Sequence, residues 1–217
     1  MAANDPASEH PRASQAPPRG IMPPFRVVPD FLPGAVADAL LAHARDREAE
    51  FTPTRTGTKQ IEREVRISAS TRNLGAFRDL LERRIFENLP HWIAQLGLQE
   101  MAAATGLETE LVAHGDGAFY RRHIDTQTSD YAASERIRVL SGVYYVHATP
   151  KAFSGGALRL HAIGSEDFAD IEPTHNTMLV FPSWALHEVL PVSVPSRRFS
   201  DSRFAVNCWL HKPKASG

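Results

Sequence analysis

One cysteine in 217 residues, Cys208, excludes an internal disulfide and any zinc cluster built from cysteines. Long apolar runs are also missing. Nothing approaches the roughly 18 consecutive residues of a membrane span, and the N-terminus lacks the apolar core of a signal peptide. Neither sign of charge dominates: the formal net charge is -1, so no partner is selected by bulk charge, as nucleic acid or an anionic membrane would be. Arg121-Arg122 and Arg197-Arg198 are local pairs and set no wider field. No dinucleotide or P-loop glycine pattern is present, and no internal repeat. A reducing cytoplasmic setting is expected from the cysteine usage.

What is present fits one large domain. With 42% hydrophobic residues, a chain of this length can bury a core without staples. Residues 1–22 are rich in Pro, Ala and Ser and nearly empty of large apolar side chains, which predicts a disordered tail. The domain is expected over 23–217, with a helical scaffold and some strands at 23–107 and a β-rich core at 108–213. FRVV (25–28) reads as a strand. Pro33 is suited to open a helix reaching about Glu50, with Val36, Leu40, Leu41 and Ala44 at helical spacing. One strand is expected from Glu64 to Ser68. Asn73 is placed to cap a second helix with the stripe Phe77, Leu80, Leu81, Ile85 and Leu89, broken at Pro90.

Beyond Glu108 short apolar runs alternate with turn residues, the texture of a β-sandwich or barrel. The GDG at 115–117 predicts a hairpin turn. The chemistry sits in this half. His123 and Asp125 are one residue apart, so on a strand both point to one face. His187 follows 64 positions after His123, just past FPSWAL. Two neutral imidazoles and one carboxylate can hold a metal and leave three positions open, as non-haem iron(II) requires. Zinc accepts the same ligands, and the chain has 10 histidines, His114, His147 and His161 among them, so spacing alone leaves the assignment open.

From Glu110 to Lys212 the chain resembles the prolyl 4-hydroxylase-like branch of the iron(II)/2-oxoglutarate oxygenases. The segments that carry the resemblance are FYRRHID (119–125), GVYYVHA (142–148), FSGGALRLHA (153–162), DFADIEP (167–173), MLVFPS (178–183), LHEVLP (186–191) and RFAVNCWL (203–210), in the family's order. The resemblance implies an α+β, mainly β fold: a double-stranded β-helix, or jelly roll, with N-terminal helices packed on one sheet. It implies Fe(2+) held by His123, Asp125 and His187, with 2-oxoglutarate as cosubstrate and ascorbate as an optional addition.

Register within RFAVNCWL assigns the grip on the distal carboxylate to Arg203, although it stands sixteen positions after His187, further than the family's usual spacing. Arg197 and Arg198 lie nearer that spacing, in a segment, PSRRFSDS, that reads as a hairpin extension. Period-two alternation sets Arg203, Ala205, Asn207 and Trp209 on one face. Tyr145 and Tyr120 resemble family tyrosines that line the cosubstrate pocket, with plain packing as the alternative for each and the favoured one for Tyr120, and the alternation puts Asn207 in the same lining. Gly155-Gly156 reads as a turn or a close backbone approach. The polar run 126–136 is where the family closes over substrate. The implied reaction is hydroxylation of an unactivated C–H bond in a prolyl residue of a protein or peptide, giving succinate and CO2. The carboxylate of Asp125 argues against halogenation. A free amino acid or small metabolite as substrate, or a non-catalytic cupin-like sensor of metal or 2-oxoglutarate, would use the same ligands.

Overall fold

The computed structural model describes residues 20–56, 60–101, 104–126 and 136–213. In chain order these form β1 (Arg26–Val28), α1 (Gly34–Arg45), β2 (Thr52–Pro53), β3 (Arg66–Ile67), β4 (Ala69–Thr71), α2 (Phe77–Leu96), β5 (Gly106–His114), β6 (Phe119–His123) and β7 (Arg136–Val146). There follow β8 (Ser154–Gly155), β9 (Leu158–His161), β10 (Phe168–Ile171), β11 (Thr177–Pro182), β12 (His187–Val189), β13 (Val192–Ser193) and β14 (Arg203–Pro213). A seven-stranded sheet runs β1-β11-β7-β14-β5-β4-β2, and a five-stranded sheet runs β10-β9-β12-β6-β3. Strand pairings among the described residues of both sheets are antiparallel, and the two sheets make the jelly roll. No helix among the described residues is long and apolar enough to cross a membrane.

Both helices pack on the outer face of the larger sheet. Alternation along β14 sends Phe204, Val206, Cys208 and Leu210 to that side, where they meet Leu40, Leu81, Ile85 and Trp92. The opposite residues of the same strand face the interior, with Ala205 packed beside Val143, Tyr145, Leu158 and Phe181. A buried amide ties the layers together. Asn176, at φ +56°, accepts hydrogen bonds through Oδ1 from the Leu32 backbone and the Tyr144 hydroxyl (3.0 and 2.7 Å), and its Nδ2 donates to the Leu32 carbonyl at 2.8 Å.

Several local expectations need correction. The ordered chain starts before residue 23, since Ile21 pairs with Ile163 through two backbone hydrogen bonds; residues 1–19 lie outside the described residues. Helix α1 begins at Gly34, with the Pro33 carbonyl accepting its first hydrogen bonds, and stops at Arg45 rather than near Glu50. Asn73 does not cap α2. Its Oδ1 accepts from the Gly75 amide in a turn ahead of the helix. Pro90 does not break α2. Removing one intrahelical hydrogen bond costs about 3 kcal/mol, and Leu89, Trp92, Ile93 and Leu96 are all buried around it, each worth about 1.5–3 kcal/mol.

The expected strand over Glu64–Ser68 shrinks to β3, and the chain then crosses at Ser68 to β4 in the other sheet. Gly115 to Ala118 is a tight turn (Ala118 N–H to Gly115 O, 3.1 Å), yet the strands it joins, β5 and β6, lie in different sheets, so it closes no hairpin. PSRRFSDS is not a hairpin either, because β13 pairs with β8 while β14 pairs with β5 and β7.

Candidate metal centre

His123 ends β6 and His187 begins β12, and the two residues are register partners across the ladder. Both rings therefore project inward from neighbouring strands, with centroids 4.1 Å apart. Asp125 comes from the turn after β6, whose amide is held by the Ser183 carbonyl (2.9 Å) at the end of β11. The smaller sheet thus supplies both imidazoles, and a contact with the larger sheet fixes the carboxylate.

The ligand atoms of the three residues lie within 4.8 Å of one another. Each histidine Nε2 is 3.7 Å from one Asp125 oxygen. Each Nδ1–H donates to a backbone carbonyl two residues back, Arg121 O for His123 (2.7 Å) and Ala185 O for His187 (2.9 Å). A carbonyl can only accept, so both Nδ1 atoms carry the proton and both Nε2 lone pairs face the centre. Burial, then the neighbouring His187, pushes His123 down to about 3, which keeps it neutral. Burial acts to raise Asp125, but His187, His123, the Ser141 hydroxyl and the Trp209 indole together hold it below the ordinary carboxylate value. Ser141 Oγ donates to Asp125 Oδ2 at 2.7 Å and is itself paired with Ser183 Oγ. Two neutral imidazoles and one ionised carboxylate on one side of a point fit iron(II) with three positions left open.

A pocket leads from these ligands to the start of β14, lined by Tyr120, His114, Arg203, Asn207 and Trp209 among others. Arg203 is 1% exposed. Its Nη1 donates to His114 Nδ1 at 3.3 Å, while its Nε and Nη2 have no partner among the described residues. Burial lowers the Arg203 pKa. His114 is kept neutral by burial and by Arg203 and Arg66, and its Nε2, which must carry the ring proton, is buried without an acceptor. The Arg203 guanidinium lies 4.9 Å over the Tyr145 ring. Burial raises the Tyr145 hydroxyl against the pull of Arg203, and the hydroxyl completes no hydrogen bond of normal geometry. Among the described residues this end of the pocket holds buried donors without partners and no carboxylate paired with Arg203, which suits a bound carboxylate.

Arg197 and Arg198 sit elsewhere. Arg197, at φ +54°, is solvent-exposed beside Asp116, and Arg198 is paired with Asp201. Gly156 is the close approach expected of it: at φ +72°, an added Cβ would fall 2.6 Å from Arg203 Cδ. Residues 127–135, the greater part of the run expected to cover the substrate, lie outside the described residues. His114 was legible only as one histidine among ten, because its place opposite Arg203 depends on the β5–β14 register. Arg66, Ser141 and Ser183 carried no sequence signal for the same reason.

The profile of the 2OG-Fe(II) oxygenase superfamily matches residues 109–211, which span all three metal ligands, His114 and Arg203. These residues form a 2OG-Fe(II) oxygenase domain. Over 193 residues the chain is 33% identical to an uncharacterized PKHD-type hydroxylase of Synechocystis sp., covering 85% of this chain and 62% of that one. The chain therefore spans less than two thirds of that relative's length. A Pseudomonas putida prolyl-4-hydroxylase structure superposes with a TM-score of 0.66 at 25% identity, over 88% of this chain and 94% of that one. A Trichoplax adhaerens prolyl hydroxylase, solved with a peptide fragment of hypoxia inducible factor, shares the oxygenase fold with a TM-score of 0.67 at 19% identity, over 86% and 82% of the two chains.

Proposed function

We propose that the protein is an iron(II)- and 2-oxoglutarate-dependent dioxygenase that hydroxylates an unactivated C–H bond of a prolyl residue in a protein or peptide. The observation that carries the reading is one pocket with a three-residue metal set at one end and unpartnered buried donors at the other. Iron(II) with 2-oxoglutarate and dioxygen supplies the oxidising power, one oxygen atom going to the substrate and the other to succinate as CO2 leaves.

The chain's own residues bind and orient. His123, Asp125 and His187 take one side of the metal and leave the other to cosubstrate and dioxygen. Arg203 meets the distal carboxylate with its two free donors, and the planar fork fixes its direction. His114 Nε2–H and the Tyr145 hydroxyl add neutral donors at the same end. Tyr120 and Asn207 wall the space between. Ser141 and Trp209 keep Asp125 ionised, and with that carboxylate in place no halide takes its position. The likeness to the Pseudomonas putida enzyme supports a prolyl residue as the substrate. A single buried cysteine is consistent with work in a reducing cytoplasm.

The test is anaerobic mixing of apoprotein with iron(II) and 2-oxoglutarate, followed by visible spectroscopy. A charge-transfer band is expected, lost in His123→Ala and weakened in Arg203→Ala. Its absence from folded, iron-loaded wild type would overturn the reading. With oxygen admitted, succinate should form faster with a proline-containing peptide than without. Stimulation by free amino acids alone would move the substrate to the small metabolites, and a band with no turnover would leave a sensor.

A further inference from the structure

Alternation along β5 sends Leu107, Leu111 and Ala113 to the helix-side core. The other face carries Glu108, Glu110, Val112 and His114. Two of these carboxylates each hold an arginine from another strand. Glu110 Oε2 is 3.6 Å from Nη2 of Arg66 on β3, and its Oε1 accepts from Ser70 Oγ at 2.8 Å. Glu108 Oε2 is 2.6 Å from Nη2 of Arg138 on β7.

Each arginine lies over an aromatic ring, Arg66 at 4.7 Å from the Tyr120 centroid and Arg138 at 4.1 Å from that of Trp209. Each ring in turn bears on a metal ligand. Tyr120 stacks on His123 with centroids 3.5 Å apart and planes 21° from parallel, and Trp209 lines the same pocket as Asp125 and helps hold its carboxylate below the ordinary value. The order is the same in both: carboxylate, guanidinium, aromatic ring, metal ligand. They start two residues apart on β5 and end two residues apart at positions 123 and 125.

We propose that Glu108 and Glu110 position the metal ligands Asp125 and His123 through these two arginine–aromatic stacks. The proposal rests on the reading of His123, Asp125 and His187 as an iron centre. His123 donates one backbone hydrogen bond, which fixes its tautomer and narrows the swing about Cβ–Cγ to the freedom that a single bond leaves. A ring pressed against one face removes that freedom. Tyr120 can press only if something backs it, and Arg66, 6% exposed, does so. Glu110 balances that buried cation, and with Ser68 Oγ, which accepts from Arg66 Nε at 2.8 Å, holds the guanidinium in place. Arg138 and Glu108 do the same for Trp209 on a more open side. Outer-sphere partners of this kind are worth about 10- to 100-fold in metal affinity.

The test measures anaerobic iron(II) dissociation constants, by competition with a chelator, and the position of the iron(II)/2-oxoglutarate absorption band. The variants are Arg66→Lys, Glu110→Gln, their double, and Glu108→Gln as a second chain less exposed to folding failure. Lysine keeps the charge but presents no plane. Arg66→Lys and Glu110→Gln should each weaken iron binding about tenfold and move the band, with the double no worse than either single. Glu108→Gln should weaken binding and move the band as well. Asp170→Asn, in the outer-face pair with Arg159, should change neither. Wild-type affinity and band position in the folded variants would overturn the proposal alone. Wild type that binds no iron(II) would overturn the metal reading and the proposal with it.

Discussion

Replacing Arg203 with methionine should make the empty protein more stable while abolishing its response to cosubstrate. The guanidinium is 1% exposed, keeps one hydrogen bond, and leaves two donors unpaired. No carboxylate among the described residues forms an ion pair with it, and Glu172 is the one acid that acts on it electrostatically. Each buried unsatisfied donor costs about 1–3 kcal/mol. Against that stand the lost contact with the Tyr145 ring, about 0.5–2 kcal/mol, and the space methionine leaves unfilled. The net expectation for Arg203→Met is a gain of about 1–3 kcal/mol, in the direction seen when buried charges are replaced by apolar side chains. For a chain of this size that is a rise of about 2–12 °C in Tm.

The assay is urea and thermal unfolding of metal-loaded protein with and without 2-oxoglutarate, manganese(II) standing in for iron to prevent turnover. Wild type at a hundredfold excess of 2-oxoglutarate over Kd should gain about 2.7 kcal/mol, and Arg203→Met nothing. An empty Arg203→Met protein less stable than wild type by 1 kcal/mol or more would refute the reasoning, since the donors would then have partners in the native state.

Other outcomes follow from the same coordinates. Gly156→Ala forces a side chain into left-handed backbone and against Arg203 and Val192; a loss of about 2–4 kcal/mol is expected, with a weaker charge-transfer band in whatever folds. His114 and His123 are both held below the ordinary 6.5. Their contribution to apoprotein stability is complete above pH 6.5 and is lost as pH falls from there towards their folded values, because the unfolded chain then binds more protons. For His123, whose folded value is about 3, the loss at pH 5 amounts to about 2 kcal/mol, and His114 acts in the same direction. Urea midpoints at pH 8 and pH 5 check it, and a flat profile would contradict it. Pro90→Ala restores a hydrogen bond in an exposed turn of α2 and should stabilise by about 1–2 kcal/mol, read from the same curves.

His123, Asp125 and His187 were legible because the family's segments carry them in order; strand alternation alone left other histidines open, and Asp125 in fact lies in the turn past β6. The faces of β14 were legible because its apolar and polar residues alternate along a strand that is buried on both sides over most of its length. Local signals failed where tertiary burial outweighed them, as at Pro90, or where a turn has two destinations, as at Gly115–Ala118. His114 and Arg66 were hidden for a different reason. Each acquires its role from a strand partner far away in sequence, Arg203 and Tyr120 respectively, and pairing register is not written at either position alone. The two glutamates of LETEL read as an ordinary polar face until Arg66 and Arg138 are set beside them.

The division of the site between two unequal sheets bears on how long the protein survives. The imidazole ligands stand on strands of five and three residues, whereas Arg203 and Tyr145 belong to strands of eleven. Short strands open first, and sub-global opening is what proteases and hydrogen exchange detect. A metal ion bound to β6, β12 and the Asp125 turn staples that weaker sheet shut. Amide exchange in β6 and β12 should slow on loading while that in β7 and β14 hardly changes. On the proposed iron centre, metal loading would then set resistance to proteolysis as well as readiness for catalysis.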